Sequence, residues 1–173
     1  MKYTLRYAIV STALLVIGLQ PFAQQFTLLK DINSDEYTGP RYYPPEPLNL
    51  TERNGTLFFT IYEGFGGNGG LWQTDGTAAG TVRVKEVEFI DRLININGTL
   101  FFASERSGLW KSDGTASGTV VVKDSITALT FTNLNGTLYF TSYDGQLWKS
   151  DGTGSGTVLI KTLPGIADIT NVD

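Results

Sequence analysis

The chain of 173 residues contains no cysteine and no histidine. Without cysteine it has no disulfide framework, thiolate metal site, lipidated cysteine or thiol nucleophile. Without histidine it lacks the commonest general base and the commonest metal ligand, which excludes the ordinary hydrolase triads. Positive charge is scarce as well, with 13 basic residues against 17 acidic ones and a formal charge of −4. A nucleic-acid partner would want a basic stripe, so that class is set aside. No apolar run reaches the ~20 residues of a spanning helix.

The apolar share of 41% is enough to build a sizeable core. The N-terminus reads differently from the rest. Lys2 and Arg6 precede a mostly apolar run from Tyr7 to Leu19, and Gln20-Pro21-Phe22-Ala23 closes it. This pattern predicts a secretory signal peptide over residues 1–23, cleaved after Ala23, and therefore a secreted or cell-surface protein with no membrane span after cleavage. Loss of Lys2 and Arg6 would leave 11 basic against 17 acidic residues. The mature domain, residues 24–173, is expected to be soluble, acidic and extracellular.

That domain is periodic. Trp72, Trp110 and Trp148 recur every 38 residues, as do the Asp-Gly-Thr triplets at Asp75, Asp113 and Asp151. Asn-Gly-Thr triplets begin at Asn54, Asn97 and Asn135, spaced 43 and then 38. The additional residues of the first copy fall in the glycine-rich stretch from Glu63 to Gly70, which reads as a loop insertion. A period in this range marks a repeat architecture. Repeats are expected over approximately 48–87, 88–125 and 126–163.

Each unit predicts four antiparallel strands. In the third copy these are Ala128 to Asn133, Thr137 to Ser142, Gln146 to Ser150 and Thr157 to Lys161, with hairpin signals at Asn135-Gly136 and Asp144-Gly145. The second strand is apolar on both faces, with Leu57, Phe59 and Ile61 alternating with Phe58 and Tyr62, which implies cover on both sides. The fourth strand is expected to set Val82 and Val84 on one face with Arg83 and Lys85 on the other, as a charged outer edge. Small four-stranded sheets of this kind predict an all-β, propeller-like fold. A β-sandwich or an open stack of sheets is the alternative, since the period fixes the unit and not its packing.

The copies Gly70-Leu-Trp-Gln-Thr-Asp-Gly-Thr77, Gly108-Leu-Trp-Lys-Ser-Asp-Gly-Thr115 and Gln146-Leu-Trp-Lys-Ser-Asp-Gly-Thr153 resemble the bacterial ELWxxDGT repeat family. The resemblance runs from about Phe26 to the C-terminus. It implies an exported, propeller-like array without a known activity. Gly70, Gly108 and Gln146 stand where the family motif has Glu, so no role is carried over for that carboxylate. Partial units at 26–32 and 166–173 match a fourth strand and an opening strand. With three full units, fewer than the ~4–8 of closed propellers, the chain is expected to be part of a longer array or to close a ring as a homo-oligomer.

Among chemistry-bearing residues, Asp75, Asp113 and Asp151 are calcium candidates, because hard cations take oxygen ligands. Against this, Asp-Gly is turn chemistry, with the carboxylate accepting from backbone N–H groups two residues on. The periodic tryptophans could stack on sugars, but a residue that every repeat carries is more simply a packing element. Contacts with a ligand are expected from copy-specific loops, through Tyr37, Arg41, Tyr42, Tyr43 and Phe65. No catalytic residue and no cofactor is assigned. The sequence thus favours a non-catalytic binding or scaffold module with an extracellular protein or glycan partner. The competing class is a propeller enzyme that acts on glycans through paired carboxylates, and a third reading is a fragment of a longer array without independent function.

Overall fold

The computed structural model describes residues 46–61 and 69–163. The expected signal peptide, the partial units at both ends and the ligand candidates Tyr37, Arg41, Tyr42, Tyr43 and Phe65 lie outside these residues. The described chain is all β, with twelve strands and no helix. The strands form three antiparallel four-stranded sheets, each built from four consecutive strands in sequence order. The first holds β1 (Pro47–Arg53), β2 (Thr56–Ile61), β3 (Gly70–Thr74) and β4 (Val82–Lys85). The second holds β5 (Ile90–Ile96), β6 (Thr99–Ser104), β7 (Gly108–Ser112) and β8 (Val120–Lys123). The third holds β9 (Ala128–Leu134), β10 (Thr137–Ser142), β11 (Gln146–Ser150) and β12 (Val158–Thr162).

The first hairpin of every sheet turns on Asn-Gly. Asn54, Asn97 and Asn135 have φ of 51°, 51° and 50°, and the glycines after them 78°, 81° and 81°. Two successive positive φ values define the tight turn whose twist matches paired strands. Each turn carries one further bond. The glycine N–H donates to Glu52 Oε1, Asn95 Oδ1 or Asn133 Oδ1 at 2.7, 2.9 and 2.9 Å. The second strand of each sheet is buried as its two-sided apolar pattern requires: Phe59, Leu100, Phe102 and Phe140 are sealed from solvent.

The three sheets pack face to face, with β5 beside β1 and β9 beside β5. Phe58, Leu71 and Val84 of the first sheet meet Leu100, Phe102 and Trp110 of the second. The opposite face of the second sheet, Phe101, Leu109 and Val122, meets Leu138, Phe140 and Trp148 of the third. Polar bonds reinforce the stack. Asn95 Nδ2 donates to the Glu52 carbonyl at 2.9 Å, Arg92 Nε to the Leu129 carbonyl at 2.6 Å and Lys111 Nζ to the Gly152 carbonyl at 2.8 Å. The described sheets form an open run that does not close into a ring.

The fourth strands depart from simple alternation. The register between β3 and β4 shifts at Leu71 and Trp72, and the shift recurs at Leu109 and Trp110 and at Leu147 and Trp148. A bulge places two residues opposite one and rotates those beyond it. Val82 is consequently exposed while Val84 is buried, and Val120 and Val121 both face solvent while Val122 is buried. The expectation that Val82 and Val84 share one face is thus corrected to one inward valine in β4 and in β8, while every residue of β12 is exposed.

Candidate functional site

The Asp-Gly-Thr loops, which hold the calcium candidates, recur in all three sheets. Each loop joins the third strand to the fourth and closes on itself. Asp75 Oδ1 accepts the Thr77 N–H at 2.9 Å and the Thr77 hydroxyl at 2.8 Å. Asp113 does the same with Thr115, and Asp151 with Thr153. The threonine hydroxyl in turn accepts a glycine N–H at 2.9 Å, from Gly80, Gly118 or Gly156.

Those three glycines are obligatory for a reason of space. A Cβ on Gly80, Gly118 or Gly156 would stand 2.0 Å from the aspartate Oδ1 of its own loop. The carboxylate therefore lies against the glycine backbone, where a Cβ would have to displace it. A second layer lies beneath. Thr74 and Thr81, Ser112 and Thr119, and Ser150 and Thr157 join hydroxyls at 2.8, 2.7 and 2.7 Å in fully buried pairs. The second threonine also donates to the carbonyl of the first, as Thr119 does to Thr115 at 2.6 Å. Burial of hydroxyls is tolerated because each finds a partner. The motif Ser/Thr-Asp-Gly-Thr-x-x-Gly-Thr is thus a hydrogen-bond circuit, and every polar residue in it has a place.

The electrostatics agree. Hydrogen bonds from the threonine hydroxyl and then from its N–H hold Asp75, Asp113 and Asp151 below the usual aspartate range. Bonding to the charged form favours ionisation. Arg53 adds a smaller effect at Asp113, and Lys111 at Asp151. As calcium candidates these aspartates are spread over three separate loops, one per sheet. Among the described residues no three acidic side chains gather where a cation could sit. The one aspartate oxygen that accepts bonds is engaged by its own loop.

The tryptophans stack on the second strand of their own sheet. Trp72 lies on Phe59, Trp110 on Phe102 and Trp148 on Phe140, with ring centroids 6.3, 5.7 and 6.2 Å apart and interplanar angles of 21°, 15° and 9°. Trp72 is buried and the other two are half-buried. The indole N–H of Trp110 reaches Ser107 Oγ at 2.9 Å and that of Trp148 reaches Gln146 Oε1 at 3.0 Å. The residue two before the tryptophan, glycine in the first two copies, thus supplies as Gln146 a tether for the indole in the third.

Sequence reasoning foresaw the carboxylate turn but missed the glycine five residues on and the buried hydroxyl pair. Both were visible as invariant positions of the repeat. Their roles needed the loop to fold back on itself, which spacing does not announce. One copy-specific cluster was also missed: Arg106 pairs with Glu88 and lies 4.2 Å over the Phe89 ring. All three residues are exposed or half-exposed, so this is a surface clasp with small energetic weight.

No family model matches the chain, and no curated protein matches it. Among solved structures, a chain of an S. cerevisiae assembly of dbp5 bound to nup159, gle1, ip6 and adp is similar over 70% of this chain and 35% of that one, at 14% identity with a TM-score of 0.43. This chain spans about a third of the length of that match. A likeness at that level carries nothing over to this protein.

Proposed function

We propose that the chain is an exported, non-catalytic repeat module of the ELWxxDGT kind, a propeller-like scaffold that presents copy-specific surface to an extracellular protein or glycan. One observation carries this reading. The residues that every repeat shares, Asp75, Asp113, Asp151 and the tryptophans, are engaged in loop closure and packing. A framework that commits its shared polar residues to its own architecture leaves recognition to what differs between copies. The face-to-face stack, with β1, β5 and β9 adjacent, fits blades side by side. Export rests on the pattern of residues 1–23 and on the acidic balance.

The test is incubation of the mature chain with a panel of soluble polysaccharides, read by retention on the immobilised protein and by release of reducing ends. The scaffold reading predicts no release above buffer. Release that disappears on one carboxylate substitution, for example Glu105→Gln or Asp91→Asn, would assign the chain to the glycan-cleaving class instead.

A further inference from the structure

The two interfaces between sheets are copies of one another, and the third sheet repeats half of the pattern. Positions Phe101, Leu109 and Val122 recur 38 residues on as Tyr139, Leu147 and Ile160. In the second sheet these residues are buried against the third, at 5%, 0% and 9% exposure. In the third sheet Ile160 is 45% exposed, Tyr139 and Leu147 are only half-buried, and every residue of β12 faces solvent. The same contrast holds for the polar partners. Lys111 donates to the Gly152 carbonyl of the next sheet, whereas Lys149, its counterpart, is exposed. The Phe58 and Phe101 rings lie against the loop glycines Gly114 and Gly152, where a Cβ would meet them at 3.0 and 3.2 Å. Tyr139 occupies the matching place.

We propose that this face docks one further repeat of the same pattern. Its Asp-Gly-Thr glycine would lie over Tyr139, that glycine's carbonyl would accept from Lys149, and a leucine, phenylalanine and tryptophan face would cover Leu147 and Ile160. The occupant is specified by the two stacks already formed, both of which set a loop glycine over an aromatic ring and a leucine, phenylalanine and tryptophan face over a leucine and a valine, with the lysine bond made in the second. A second copy of the whole chain does not offer it. On the corresponding face of the first sheet, Leu57, Phe59 and Trp72, the two rings are already closed at 0% and 8% exposure and Leu57 is half-buried, and those of the second and third sheets are used within the chain. This surface is independent of whether the protein has catalytic activity.

The experiment inserts a second copy of residues 126–163 between Leu163 and Pro164, which keeps the 38-residue register. Thermal unfolding and light scattering are then compared for the original and extended chains, each with native Ile160, Ile160→Val and Ile160→Asp. In the original chain Ile160→Asp lies on the surface and is expected to shift the midpoint by no more than about 2 °C. In the extended chain the same change, at the original Ile160, is expected to lower it by more than about 5 °C, because the carboxylate would enter a buried contact. Ile160→Val, which restores the residue type of Val84 and Val122, is expected to be tolerated in both. Equal shifts in the two chains, or an inserted repeat that adds no cooperative unfolding signal, would overturn the proposal. So would dimers of the original chain that Ile160→Asp dissolves, since the occupant would then be a second copy.

Discussion

A single oxygen organises each Asp-Gly-Thr loop. Asp113 Oδ1 accepts two bonds from Thr115, and the carboxylate fills the space beside Gly118. Gly118→Ala is therefore expected to expel the carboxylate and to destabilise the chain by about 1–3 kcal/mol, as other overpacked sites do. In an Asp113→Ser background the same alanine is expected to cost clearly less, because the shorter side chain leaves room; chemical denaturation of the four variants checks the coupling. The three aspartates also set a pH dependence. Their folded values lie below the unfolded ones, so their contribution is complete above about pH 4 and is lost as pH falls through the folded values. A variant with asparagine at 75, 113 and 151 is expected to show a flatter melting temperature between about pH 4 and pH 2 than the native chain. The turn role of these aspartates was legible from Asp-Gly alone. The seat of the carboxylate on a glycine five residues away was not, because it depends on a fold-back between β7 and β8 that no local propensity encodes.

At the level of the strand, the Asn-Gly hairpins were the clearest signal, and the structure places all three with positive φ at both residues. The second strands followed from their two-sided apolar pattern, and β10 runs from Thr137 to Ser142 as expected. The fourth strands were read less well. Alternating Val-Arg-Val-Lys suggested an outer edge strand with both valines on one face; β4 is the edge strand, but the recurrent bulge opposite Leu-Trp leaves Val82 exposed and Val84 buried. A bulge is a register event between two strands, so one strand's sequence does not disclose it. Phe102 shows where the energy lies. It is fully buried, stacks on Trp110 and takes part in the contact with the first sheet. Phe102→Ala is expected to cost about 3–5 kcal/mol in urea denaturation, a large part of the stability of an ordinary domain. Val121→Ala, on the exposed side of β8 at 43% exposure, is expected to change it by less than about 0.5 kcal/mol.

The molecule as a whole is a succession of equivalent contacts, each made by an aromatic ring, a leucine and a valine on one sheet against a leucine, phenylalanine and tryptophan on the next. Such stacks depend on neighbours, and their stability is close to a sum over repeats and interfaces. The period announced the unit, and the order in which sheets stack became legible only from burial. Phe58 and Phe101 look alike in sequence to Tyr139, yet only the first two are covered. The most direct measurement of this stacking is the nuclear magnetic resonance spectrum of the loop glycines. If Phe58 and Phe101 lie over Gly114 and Gly152, the Hα protons of those two glycines will show cross-peaks to the phenylalanine rings and upfield ring-current shifts. Gly76, with no ring of the described residues beside it, is expected to show neither. Three glycines with the same ordinary shifts and no aromatic cross-peaks would contradict the stack.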